Sequence, residues 1–133
     1  MLKILAAAAL VASAVLVPTA QAAPEWQVGV PPLTTPWTDD VSPRNALPEY
    51  PRPQLTRPEW RNLNGLWEWS AAAPGEQPPV GRTLGEKLLV PYPIESALSG
   101  LQKHEDRMWY RRTFTVPAGW QGQRLVLHFG AVD

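Results

Sequence analysis

The side chains of this chain that could do chemistry are few. They are His104 and His128, Ser96 and Ser99, the adjacent acids Asp39-Asp40 and Glu105-Asp106, and an isolated Glu95. Cysteine is absent. A zinc site draws three or four ligands from His, Cys and acidic residues, so two histidines far apart in sequence predict no metal. The serines lie outside any Gly-x-Ser-x-Gly elbow, and no glycine-rich loop feeds a helix to cradle phosphate. No cofactor is expected. Acid/base work on a glycosidic bond takes two facing carboxylates. Neighbours on extended chain point apart, so neither acidic pair makes that couple. No catalytic residue is assigned.

Glu95 is the acid whose setting asks for a reason. It sits in "VPYPIESALSG", residues 90–100, a proline-stiffened loop with no other charge. Arg111 and Arg112 are its expected partners. Arg112 in particular falls in line with Met108, Tyr110 and Phe114, where a guanidinium needs a carboxylate or several carbonyls. A structural ion pair is the preferred reading, and a sugar contact the other. The seven tryptophans are dense for this length. Trp67, Trp69 and Trp109 lie in strand-like stretches where such area normally packs a core. Trp26, Trp37 and Trp120 are the plausible exposed platforms. Glu95, Trp37 and Trp120 are therefore the carbohydrate-contact candidates.

The elements that would position these residues begin after an export signal. Met1-Leu2-Lys3 is a positive start, Ile4 to Val17 is apolar except for Ser13, and Ala20-Gln21-Ala22 is small-x-small. The apolar run is shorter than the about 20 residues of a membrane span and fits a signal peptide over residues 1–22, cut between Ala22 and Ala23. The product is expected to be periplasmic or secreted, with no membrane attachment after cleavage. Removing residues 1–22 from 133 leaves 111, with 11 basic and 12 acidic residues. No basic face for nucleic acid appears.

Nine prolines fall between Pro24 and Pro58. Each fixes φ and removes an amide donor, so residues 23–60 are expected to form an extended arm. Trp26, Trp37, Leu47, Tyr50 and Leu55 are its anchors, since a free linker is poor in aromatics. From residue 61 to 133 the pattern becomes β. Leu66 to Ser70 alternates, Lys87 to Val90 is a short apolar run, Met108 to Val116 alternates again, and so does Arg124 to Phe129. Pro and Gly punctuation between short alternating runs predicts an antiparallel β-sandwich or barrel. Four or five strands leave open edges, which are an aggregation hazard, so the chain is expected to stop before its fold does.

Four segments in this order, "LPEYPRPQLTRPEWRNLNGLWEW", "LLVPYPIESALSG", "MWYRRTFTVPAGW" and "LVLHFGAVD", resemble the N-terminal region of glycoside hydrolase family 2. That family includes β-galactosidases, β-glucuronidases and β-mannosidases. The similarity runs from about Trp37 to Asp133, and the Pro-Ile-Glu-Ser loop resembles a β-galactosidase-like subgroup. The resemblance implies a jelly-roll, galactose-binding-like β-sandwich, here partial, packed beside a barrel that carries two catalytic glutamates. That barrel, expected downstream, would be the chain's partner, and a β-glycoside its ligand. In the family's β-galactosidases an asparagine of this loop contacts sugar. Pro93 stands at that place, so the contact does not carry over. The chain is thus expected to be the sugar-binding segment of an exported hydrolase of β-linked glycosides, inactive alone. The alternatives are a free-standing carbohydrate-binding module and a gene fragment without a role.

Overall fold

The computed structural model describes residues 25–49, 57–130 and 132. The signal segment with its Ala22–Ala23 cut, and the arm anchors Tyr50 and Leu55, lie outside the described residues. Three strands form one antiparallel sheet: β1 (Gly65–Ala71), β2 (Glu86–Val90) and β3 (Met108–Arg111), in the order β2-β1-β3. Each helical element among the described residues is a three-residue 3-10 turn. The chain is all-β, and this sheet is consistent with one wall of a β-sandwich.

Alternation along β1 explains how the sheet packs. Register sets Trp69 opposite Glu86 and Tyr110, and Trp67 opposite Leu88. Trp67 and Trp69 therefore share a face with Leu88, Val90, Met108 and Tyr110. On that face Trp69, Leu88 and Ile94 form the buried cluster, with Val90, Leu101 and Met108 against it. Full burial of a Leu or Ile side chain contributes about 1.5–3 kcal/mol. The cluster thus ties the loop after β2 to the sheet through Ile94. Glu68 takes the other face, between Lys87 and Arg111. Leu89, also fully buried, shares that second face.

The described part of the arm is tied down rather than free. Trp26 donates its indole N–H to the carbonyls of Leu98 and Ser99, 3.2 Å from each. The Gly29 amide bonds Ala97 O at 2.8 Å. Gln102 clasps Val30 from both sides, accepting its amide at 2.8 Å and donating to its carbonyl at 3.0 Å. Further along, the arm is not wholly extended. Thr38–Asp40 makes a 3-10 turn, which follows the hydrogen bond from the Thr35 amide to Thr38 Oγ1.

Two strand expectations are corrected in extent. β3 stops at Arg111 instead of running to Val116, because Arg112 turns its guanidinium onto the Leu66 carbonyl at 3.1 Å, where a ladder bond would otherwise form. Arg124 to Phe129 joins no ladder among the described residues. Leu125, Leu127 and Phe129 are all more than half exposed. Alternation there gives one apolar face, and no described strand lies alongside to cover it.

Candidate functional site

The Pro-Ile-Glu-Ser loop is built around a buried hydroxyl. Ser96 Oγ accepts the Leu98 amide and caps a 3-10 turn, Ala97–Ser99. Gly100 ends that turn in the left-handed region with φ 87°, which glycine adopts without a Cβ penalty. Ser99 is wholly buried. Its hydroxyl lies 2.8 Å from Ile94 O and 2.7 Å from Ser96 O as donor, and it accepts the Leu101 amide at 3.0 Å. With Ile94 plugged into the core and Ser99 holding the turn, Glu95 between them is left at the surface. The bond into Val90–Pro91, at the loop's start, is cis.

Glu95 meets neither arginine proposed for it. Its Oε1 lies 3.2 Å from His104 Nδ1, and the other ring nitrogen lies 3.9 Å from Asp106. A bond to a backbone amide and then the His104 bond hold the Glu95 carboxyl below its ordinary range. Arg111 instead meets Glu68, at 2.7 Å. The reason is register: Glu68 and Arg111 are direct cross-strand partners, whereas Arg111 points to the face opposite Tyr110. Tyr110 is the β3 residue that feels the Glu95 charge: burial, and then that charge, raise its phenol pKa. Arg112 finds a carbonyl, Leu66 O, in place of a carboxylate. Burial and the nearby Arg61 lower its proton affinity.

Glu68 is the acid that sequence reading passed over. It accepts the Leu84 amide at 3.0 Å as well as the Arg111 guanidinium. The Leu84 bond, then the Arg111 bond, lower its pKa. Lys87, across β2, is paired with Glu25 of the arm. A charged residue inside a central strand signals cross-strand partners in principle, but register is needed to name them. Beside this row lies a cleft of about 200 Å³ bordered by Trp67, Glu68, Lys87, Arg111, Arg112 and Thr113.

The other sugar-contact candidates lie apart. Trp37, 71% exposed, precedes the arm's 3-10 turn. Trp120 is half-buried in the Ala118–Trp120 turn. Among the described residues no hydrogen bond or ion pair joins Trp37, Trp120 and Glu95. The His128 ring packs against Trp60, with centroids 5.3 Å apart and the planes tilted by 38°. Among the described residues no group of three or more His, Cys, Asp or Glu is arranged to hold a metal ion. No helix among them is long and apolar enough to cross a membrane.

No protein-family model matches the sequence. A β-glucuronidase of Paenibacillus borealis is 30% identical over 95 residues, covering 62% of this chain. The chain spans 15% of that curated relative's length. The relative is, by its name, a glycosidase, and the chain is similar to a part of it.

Proposed function

We propose that this chain is the sugar-binding segment of an exported family 2 glycoside hydrolase, with its catalytic barrel downstream. The observation that carries the reading is the 30% identity to a β-glucuronidase over 95 residues. The all-β architecture and the exposed apolar row Leu125, Leu127 and Phe129 support it. Such a row is what a sandwich covers with its next strands. The parent enzyme hydrolyses β-linked glycosides with retention through two barrel carboxylates. Its ligands are carbohydrate, not nucleic acid or membrane, and the pattern of residues 1–22 supports export to the periplasm or medium. Glu95 braces its loop through His104. Trp37 and Trp120 face the glycan, and Trp37's exposure supports that role.

The test begins with the DNA beyond the Asp133 codon. An open frame continuing into sandwich strands and a barrel is expected. The full-length product is then expected to hydrolyse at least one of the aryl β-galactoside, β-glucuronide and β-mannoside. The 133-residue chain alone should turn over none of them. Turnover by this chain alone, or a frame with no barrel, overturns the reading. In the second case cooperative melting and polysaccharide affinity would mark a free-standing binding module.

A further inference from the structure

We propose that the cleft between β1 and the chain that leaves β3 is a carboxylate-binding site, with Arg112 as its receiving group. β1 and β3 pair as far as Glu68 and Arg111. Past that point Arg112 and Thr113 leave the ladder, and the gap between them and β1 is the cleft, about 200 Å³. Three cations border it, and two are already neutralised. Lys87 has Glu25, and Arg111 has Glu68. Among the described residues no carboxylate lies within ion-pair distance of Arg112.

The Leu66 carbonyl satisfies one Arg112 N–H but leaves its charge uncompensated. A guanidinium offers five N–H donors in a planar fork that matches a carboxylate's two oxygens. The fork lies close over Gly65. Gly65 has no side chain there, and a Cβ at that position would lie 3.0 Å from Arg112 Nη1. Partial burial and then the neighbouring Arg61 disfavour the charged form, and an incoming anion beside the guanidinium favours it. The volume admits one monosaccharide or one acidic side chain. Thr113 and Trp67 also border the cleft, beside the charged row. This inference goes beyond the proposed hydrolase segment and does not rest on it.

The experiment follows the Arg Nε–Hε and Thr113 amide NMR signals of the purified chain. Acetate, galacturonate, galactose and, at matched ionic strength, chloride are titrated in turn. Acetate and galacturonate should give saturable shifts, and galactose and chloride should not. In Arg112→Gln the Thr113 response should weaken at least tenfold. Should that variant fail to fold, Arg112→Lys keeps the charge and loses the fork, and should still weaken the response. Galacturonate binding at least tenfold tighter than acetate assigns the site to an acid sugar. Equal affinity assigns it to an acidic side chain from another segment. A non-saturable drift in the unmodified chain, an equal response to chloride, or a response unchanged in both variants overturns the proposal.

Discussion

Removing the Ser99 hydroxyl should loosen the Pro-Ile-Glu-Ser loop without loosening the sheet. The magnitude follows from the partners it leaves behind. In Ser99→Ala the Ile94 carbonyl still accepts the Lys103 amide, and the Ser96 carbonyl still accepts the Ser99 amide. The Leu101 amide loses its acceptor at 3.0 Å, and the Gln102 amide loses a long, weak one at 3.4 Å. One orphaned amide costs about 1–3 kcal/mol, so a value of about 2 kcal/mol is expected at the loop. That corresponds to roughly 30-fold at about 1.4 kcal/mol per decade. Native-state hydrogen exchange reads it directly. Protection of the Leu101 amide should fall about 30-fold, while the β1 and β2 ladder amides keep theirs. Unchanged protection at Leu101 would refute the view that this hydroxyl holds the turn. An equal loss across the ladder would show that the loop and sheet open as one unit, which the separate bonding just described does not predict.

Two further perturbations test the arm and the charge row. Gly100→Ala forces a left-handed φ of 87° on a residue with a Cβ that would lie 2.6 Å from Trp26 Cδ1. The backbone strain alone is about 1–2 kcal/mol, and Trp26 should leave its carbonyls, seen as faster proteolysis within residues 25–30. Glu68, with its pKa lowered from an ordinary 4.5, contributes stability that is present above that value. The contribution is lost as pH falls through the lower folded value. Urea midpoints measured from pH 7 down to pH 3 should therefore drop less steeply in Glu68→Gln than in the unmodified chain. Equal slopes would remove Glu68 from the acid response.

Much of the architecture was legible because side-chain period is a local property. Leu66 to Ser70 and Lys87 to Val90 read as strands from alternation and composition, and both are strands. Met108 to Val116 alternates just as cleanly, yet only Met108–Arg111 is paired. Alternation states which face a residue would take, not whether a partner strand lies alongside. Arg124 to Phe129 shows the same limit, with its apolar face exposed and no described ladder.

The sequence by itself determined which segments could be strands, the φ restriction of the proline-rich segment, and the expectation that an arginine among apolar residues must find oxygen. Those follow from φ restriction, period and desolvation, which act over a few residues. Partner choice was decided only by tertiary structure. Register gave Arg111 to Glu68, a 43-residue separation. Loop closure gave Glu95 to His104, and the end of β3 gave Arg112 the Leu66 carbonyl. Ion pairing depends on distance in space, and a one-residue change of register would have turned each of those β-strand side chains to the other face.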